Sequence, residues 1–187
     1  LYNPEMKAAY NFVPGVMGMI FMLICAMMTA IAIVREKENG TMEVLLASPM
    51  RPIFIILAKA VPYLTLSLVN FTSILLISVY LLDVPVAGSL GWLFVLSLLF
   101  ITVALSLGLL ISTIVDTQVA AMLASGMMLI MPVVLLSGMI YPVENMPLVL
   151  QWFSNIIPAK WYIIAVKKLM IEGLTVGSVV KEMALLS

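Results

Sequence analysis

The feature that most constrains this chain is the length of its uncharged stretches. Four windows contain no Asp, Glu, Lys, Arg or His, and they run over 8–34, 60–82, 84–115 and 117–143. Each is long enough for a helix that crosses a bilayer, which needs about 20 mostly apolar residues. Only 10% of all residues are charged and 64% are hydrophobic, whereas about a quarter of a soluble domain is charged. We therefore predict an all-α integral membrane protein.

Proline and glycine place the helices within these windows. Pro14 and Gly15 mark a helix start in the first window, and Pro62 suits the first turn of the second helix. The third window begins with a short loop. Pro132 predicts a kink in the fourth helix. The predicted spans are about 14–34, 60–82, 91–113 and 119–140.

The segment 142–172 has a different pattern. Its apolar pieces are too short to cross a bilayer. Aromatic side chains of the kind found here favour the membrane–water boundary. The punctuating prolines and the aromatic cluster are Pro142, Pro147, Pro158, Trp152, Trp161 and Tyr162. We predict an interfacial or re-entrant helical region.

Lysine and arginine predict the orientation, because short loops rich in them are cytoplasmic. The loop after the first window carries Arg35, Lys37 and Arg51, whereas the loop at 83–90 has neither residue type. The first loop is therefore expected in the cytoplasm, with 83–90 and 142–172 outside. Three basic residues then lie outside against this rule, namely Lys160, Lys167 and Lys168.

Several function classes are disfavoured by what the windows lack. Charged groups at membrane depth mark ion and proton pathways, so their absence argues against a proton-coupled carrier or a channel with a charged ring. The chain has no His and one cysteine, Cys25, which argues against a metal cluster, a disulfide framework and an intramembrane enzyme. A net charge of zero gives no reason to expect nucleic acid as a partner. A passive channel or carrier and a membrane scaffold both stay open.

The loop at 35–52 contains signals for a short helix. Asn39-Gly40 predicts a turn. Thr41 is a candidate N-cap, and Glu43 in the first turn complements the positive end of a helix.

This helix is predicted to end at Ser48, because Pro49 disfavours the helical conformation of the residue before it. Met42, Leu45 and Leu46 then lie on one side. The pattern predicts a short amphipathic helix, about 41–48, along the cytoplasmic face.

Two interpretations of the loop are open from these residues. It is a solvated loop that anchors helix ends, with Arg35 at the negative C-terminus of the first span, or it is a docking element for a partner.

Three motifs, in order and at suitable spacing, resemble the type-2 permeases of ABC transporters. The first is REKENGTMEVLLASP at 35–49, which follows the family pattern Arg-Glu-(Lys/Arg)-Glu, Gly-Thr, Glu, a leucine pair and Pro. The second is YNPE at 2–5 followed by VPG at 13–15. The third is LSGMIYPVENMP at 136–147 followed by PAKWY at 158–162, which resembles the family's re-entrant region. Together they cover essentially the whole chain.

The resemblance implies a six-helix subunit that works as a dimer with two ATP-binding subunits. The four predicted spans are then the second to fifth helices of one transmembrane permease domain, 1–187. On this expectation the chain is a fragment. The first helix and most of an extracytoplasmic domain precede Leu1, and the sixth helix follows Ser187.

The resemblance also assigns site residues. The loop 35–52 becomes a cytoplasmic coupling loop that sits in a groove on the ATPase, with Glu36, Glu38, Glu43 and Arg51 as its charged contacts. The full coupling set is Arg35, Glu36, Lys37, Glu38, Gly40, Thr41, Glu43, Leu46, Pro49 and Arg51. The re-entrant set is Gly138, Tyr141, Pro142, Pro147, Pro158 and Trp161.

No catalytic residue or metal site is expected on this chain, which lacks the G-x-x-x-x-G-K-[ST] loop for nucleotide. ATP and Mg are expected on the partner ATPase. The sequence departs from the family where a Glu often follows the Pro and a Gly-Lys pair begins the next helix. Here 53–56 are apolar, and Ala58 precedes Lys59. One polar contact to the partner is therefore absent or moved.

The expected function is ATP-driven export of apolar or amphipathic substrates, such as drugs or lipids, from the cytoplasm. The expected location is a bacterial or archaeal cell membrane. The expected partners are an ABC ATP-binding subunit, a second permease copy in a homo- or heterodimer, and membrane lipid. The alternative is a passive channel or carrier, or a scaffold, without an ATPase.

Overall fold

The computed structural model describes residues 9–81, 89–137 and 145–170, together with the isolated positions 180 and 184. Within these ranges the regular structure is helical throughout. The helices are α1 (Ala9–Met22), α2 (Met28–Glu38), α3 (Thr41–Leu46), α4 (Pro52–Tyr80), α5 (Leu90–Ile114), α6 (Gln118–Ser125), α7 (Met131–Leu136), α8 (Leu148–Ile156) and α9 (Pro158–Met170). Two π-helical turns, Leu23–Met27 and Gly126–Ile130, join α1 to α2 and α6 to α7.

Four helices of the described part are long and apolar enough to cross a membrane. Span one is Phe12–Glu38, span two is Pro52–Tyr80, span three is Leu90–Ile114 and span four is Gln118–Leu136. The length of the apolar run identifies each span. An amphipathic pattern does not, because apolar residues cover all sides of these helices. The predicted all-α membrane fold with four spanning helices is confirmed.

Span two begins at Pro52, earlier than the sequence-based start near residue 60. The difference arises from Lys59, whose charge ended the uncharged window. The helix accommodates this lysine because its ammonium pairs with Glu36 of span one. Arg51 is the N-cap position and has an extended backbone, and Pro52 opens the helix, where a missing N–H costs nothing.

The irregularity predicted at Pro132 takes the form of a π turn. The π turn Gly126–Ile130 ends just before Met131–Leu136, which contains the proline. Proline has no N–H to bond to the carbonyl four residues earlier. A wider turn on the N-terminal side is one way in which a helix absorbs this loss.

The core of the bundle surrounds span three. Its buried side includes Leu96, Phe100, Ala104 and Gly108. A Cβ added to Gly108 would lie 2.4 Å from the backbone oxygen of Ala26, so the backbones of spans one and three are in direct contact there. Small residues permit such close approach between membrane helices.

Helix α9 completes this core. Tyr162 is fully buried, and its ring stacks on Phe100 with centroids 4.3 Å apart. Its hydroxyl lies 2.9 Å from Oγ of Ser97, so that one of the two donates to the other. The described part of 142–172 is therefore divided. Helix α9 packs inside the bundle, whereas α8 exposes apolar side chains such as Trp152 and Ile156.

Span two lies at the periphery. Its buried residues are Ser67, Phe71 and Ser78, and Ser67 Oγ lies 2.8 Å from the sulfur of Cys25 in span one. The rest of this helix is largely uncovered, with Val61 and Val69 each 58% exposed. Such a surface suits lipid or another subunit.

Candidate functional site at the charged end of the bundle

One end of the bundle carries a concentration of charge. There the end of α2 meets the start of α4, the end of α5 and the start of α6. The last turn of α2 carries the Arg-Glu-Lys-Glu motif, 35–38. Three of its four side chains contact a different neighbouring helix or helix end.

Glu36 connects α2 to α4. Its Oε1 forms a hydrogen-bonded ion pair with Nζ of Lys59, and 23% of each side chain is exposed. The other carboxylate oxygen, Oε2, is buried and has no hydrogen-bond partner among the described residues. A partly buried pair of this kind is screened less by salt than a surface pair.

Lys37 connects α2 to the end of α5. Its ammonium donates to the backbone oxygen of Ser112 at 2.6 Å and to that of Val115 at 3.4 Å. It also lies 3.8 Å from Oδ1 of Asp116. The last carbonyls of a helix lack intrahelical partners and carry partial negative charge. Lys37 therefore caps span three from the neighbouring helix.

Glu38 connects α2 to the start of α6. Its Oε2 accepts hydrogen bonds from the backbone N and the side-chain Nε2 of Gln118, each at 3.0 Å. A carboxylate is favourable here because the N-terminus of a helix is its positive end. Oγ1 of Thr117 accepts from the backbone N of Ala120 at 3.2 Å, which completes the cap.

We call Glu36, Lys37 and Glu38 the charged clamp. Each of its members has an internal partner, so the first interpretation of the loop, as an anchor of helix ends, describes these three residues. Arg35 was expected at the C-terminus of its own span. Its side chain is exposed and makes no hydrogen bond or ion pair with a described residue. The negative helix end that receives a basic side chain is the C-terminus of span three, and the side chain is Lys37.

Helix α3 follows the clamp directly, and it begins differently from the prediction. The N-cap is Gly40, whose φ of 70° is left-handed, a conformation that glycine adopts without strain. The prediction that Thr41 is the N-cap is wrong. Its hydroxyl instead donates to the backbone oxygen of Glu36 at 3.3 Å, because the sharp turn at Gly40 brings it back over the last turn of α2.

Helix α3 is also shorter than predicted. It ends at Leu46 rather than Ser48, because the hydroxyl of Ser48 donates to the backbone oxygen of Leu45 at 2.7 Å. A side chain that bonds to a nearby carbonyl competes with continuation of the helix. Pro49, which follows, is exposed.

The exposed side of α3, like Arg35, has no side-chain bond to the described part of the chain. Met42 and Leu45 are half-buried, as predicted for the packed side. Leu46 lines the same cavity as Met42 but is 62% exposed. Glu43 and Arg51 are exposed, and the side chain of neither bonds to a described residue. We give the name α3 face to Glu43, Val44 and Leu46 of α3 together with the exposed Arg51 at the N-cap of α4.

Pro147, Pro158 and Trp161 of the re-entrant set belong to the described part of the chain. Pro147 is the N-cap of α8, and Pro158 is the first residue of α9. Nε1 of Trp161 donates to the backbone oxygen of Asn155 at 2.9 Å. Gly138, Tyr141 and Pro142 lie outside the described residues.

Lys160, which the orientation rule does not accommodate, is 9% exposed and donates to Oδ1 of Asn155 at 2.6 Å. Its ammonium also lies 5.2 Å from the ring centre of Trp161. This lysine therefore has partners within the protein, and its charge is weak evidence for the side of the membrane on which it lies.

Sequence reasoning missed the partners of the clamp, namely Lys59, Ser112, Val115 and Gln118. One signal was available, since Asp116-Thr117-Gln118 is a polar break between two apolar windows. Within the part of the chain that the structure describes, no three His, Cys, Asp or Glu residues are grouped so that they could hold a metal ion.

Comparisons with known proteins identify the family of the chain. The whole chain, 1–187, matches the family described as ABC-2 family transporter protein. It is 35% identical over 172 residues to the probable multidrug ABC transporter permease YbhS of Escherichia coli (strain K12), covering 92% of this chain and 46% of that protein. It is 34% identical over 161 residues to the probable multidrug ABC transporter permease YbhR of the same organism, covering 86% and 44%.

A eukaryotic relative, ABC transporter G family member 20 of Dictyostelium discoideum, is 31% identical over 173 residues, covering 91% of this chain and 23% of that protein. No solved structure matches. The chain spans less than half the length of each of these relatives. Its full-length match to the family model shows that the chain belongs to the ABC-2 family of transporter proteins.

Proposed function

We propose that this chain is the membrane-spanning part of an ATP-driven exporter and that an ATP-binding subunit docks on the α3 face. The observation that carries the proposal is the position of this face. It projects from the bundle immediately after the charged clamp, which connects α2 to three other helix ends. ATP and Mg then bind on the partner subunit, which also hydrolyses the nucleotide.

The clamp explains how movement of a partner would reach the membrane. Because Thr41 bonds to the last turn of α2, a displacement of α3 acts on that turn. The clamp then passes the displacement to the ends of spans two, three and four. The proposed export step is a tilt of these spans that opens a path between two permease copies.

The proposed cargo is apolar or amphipathic, such as a drug or a lipid. The four windows contain no charged side chain, and an uncharged wall gives an ion no compensation for its lost hydration. The proposed location is the inner or plasma membrane of a bacterial or archaeal cell. The charged end then lies on the cytoplasmic side, as the basic residues of the first loop favour. The largely uncovered helix of span two leaves room for lipid and for a second copy, identical or related.

The test is co-purification of the full-length permease with the ATPase encoded beside it. Glu43→Arg and Arg51→Glu each reverse a charge on the α3 face without removing an internal contact. We expect each to lower permease-stimulated ATP turnover by about tenfold or more, because like charges placed opposite each other at an interface cost several kcal/mol.

Matched controls remove one carboxylate each from the same end of the molecule. Glu43→Gln is expected to weaken the complex. Asp116→Asn removes a carboxylate that is 90% exposed, lies off α3 and is 3.8 Å from Lys37; because Lys37 keeps its two backbone acceptors, this variant is expected to leave the complex intact. If the ATPase associates with neither wild type nor variants, the exporter proposal fails, and a passive pathway or a scaffold becomes the better account.

A further inference from the structure

A cavity of about 520 Å³ lies at the charged end, between span one, α4 and α6. Met28, Ile31 and Ala32 of span one form its apolar floor, and Arg35 stands at its rim. These four residues follow the i, i+3, i+4, i+7 spacing of one helix face. The cavity therefore changes from apolar to cationic along a single face of span one.

The rim carries a net positive charge. Lys59 lines the cavity, but its charge is balanced by the ion pair with Glu36. Arg35 also lines it and has no partner among the described residues. The remaining charge is therefore one guanidinium, whose fork of N–H donors matches the oxygens of a phosphate. The side-chain amide of Asn39 lies at the same rim.

The cavity also has the depth at which a phospholipid changes from headgroup to chain. Val34 is the last residue of the first uncharged window and Arg35 is the first charge after it. Tyr63 lines the wall, and tyrosine is enriched at the level of the headgroups. A lipid phosphate beside Arg35 would place its acyl chain along Ile31 and Met28 toward the membrane interior.

We propose that this cavity binds an anionic phospholipid of the adjacent leaflet, with its phosphate on Arg35 and the upper part of one acyl chain on the apolar floor. Basic pockets between membrane helices on the cytoplasmic side are the type of site that anionic headgroups prefer. The volume is within the range of small-molecule sites, about 300–1,000 Å³. Thr41 of α3 lines the cavity, but none of the four residues of the α3 face does, so lipid binding and ATPase docking can be tested with different variants.

The test uses the full-length permease, purified from the membrane and analysed by native mass spectrometry with phosphatidylglycerol or phosphatidylcholine added. We expect wild type to retain phosphatidylglycerol about tenfold better, and Arg35→Gln to lose this preference, since losing one charge-assisted bond of about 1.5–3 kcal/mol is a change of tenfold or more. Arg51→Gln removes the same charge from the same end outside the cavity, and it is expected to keep the preference.

A second variant tests the apolar floor without changing charge. Ala32→Phe fills part of the cavity and is expected to reduce retention of phosphatidylglycerol although Arg35 is intact. Excess inorganic phosphate is expected to displace little of the lipid.

The proposal is overturned by equal retention of both lipids by wild type, or by a preference that survives Arg35→Gln. It is overturned equally if Arg51→Gln abolishes the preference, which would show a diffuse surface effect. If inorganic phosphate displaces the lipid and Ala32→Phe does not reduce its retention, the cavity binds the phosphate group alone and the acyl chain contributes nothing. Loss of lipid when the ATPase binds would assign the cavity to the partner protein.

Discussion

At the scale of residues, the four side chains of the Arg-Glu-Lys-Glu motif make different contacts although they are adjacent in sequence. Glu36, Lys37 and Glu38 each bond to a different helix or helix end, and Arg35 lies at the rim of a cavity without a bond to any described residue. The sequence predicts that this motif matters, through its resemblance to a family pattern. It does not predict the division of tasks, because the partners are as far away as Gln118 and are brought together only by tertiary packing.

Lys37 gives the residue-scale prediction. Lys37→Met keeps most of the aliphatic length and removes the ammonium, which leaves the carbonyls of Ser112 and Val115 without their donor. We expect a loss of about 1–3 kcal/mol in stability, the range for hydrogen bonds that involve a charged group. The measurement is the thermal unfolding of the full-length permease in detergent.

Arg51→Met is the control for Lys37→Met, since it removes an exposed basic side chain that has no described partner. It is expected to change stability by less than about 0.5 kcal/mol. Equal effects of the two substitutions would show that the cap of Lys37 on span three contributes nothing.

At the scale of elements, the four spans could be predicted from the sequence because apolar length is a local property of the chain. The two π turns could not. The first, Leu23–Met27, contains Ala26, whose backbone touches the position of Gly108 in span three. Its geometry therefore depends on a contact between distant segments. The position of α9 was open for the same reason, since the burial of Tyr162 requires Phe100 and Ser97 of another helix.

Gly108 gives the element-scale prediction. In Gly108→Ala the new methyl group would meet the Ala26 oxygen at 2.4 Å and its Cα at 2.9 Å, and backbone atoms cannot turn away as a side chain can. We expect a loss of about 1–3 kcal/mol, as for other overpacked sites. Thermal unfolding and the yield of folded protein are the measurements.

The matched control is Gly126→Ala, because nothing lies within 4 Å of an added Cβ there and the backbone is helical. It should be neutral or stabilising, since alanine favours helix over glycine by about 0.5–1 kcal/mol. A Gly108→Ala protein as stable as wild type would mean that spans one and three do not meet at this glycine.

At the scale of the whole molecule, the arrangement separates a charged end from an end that carries α8. Among the described residues, the charged end holds the clamp and the α3 face, and the other end holds the apolar surface of α8. The orientation prediction places the first end in the cytoplasm. Lys160 carries less weight against it, because its ammonium is bonded to Asn155, whereas Lys167 and Lys168 stay exceptions to the rule.

Labelling of single cysteines tests this orientation in the full-length protein. With Cys25→Ser and any other cysteine removed, Asn145→Cys should react with a membrane-impermeant maleimide in intact cells. Glu43→Cys should react only after permeabilisation. Both positions are exposed in the permease itself. The labelling is done in cells that lack the partner ATPase, so a lack of reaction cannot be attributed to burial. Reaction of Glu43→Cys in intact cells would reverse the orientation and remove the basis for ATPase docking on α3.

The clamp and the α3 face are adjacent in sequence but use different side chains. Substitutions on the outward side of α3 can therefore accumulate without weakening the bonds that hold the helix ends together. If an ATP-binding subunit docks on the α3 face as proposed, related permeases can differ in the ATPase that they bind and keep the same arrangement of membrane helices. It also suits engineering, because exchanging Glu43, Val44, Leu46 and Arg51 between two such permeases is expected to exchange their ATPase subunits without rebuilding either bundle.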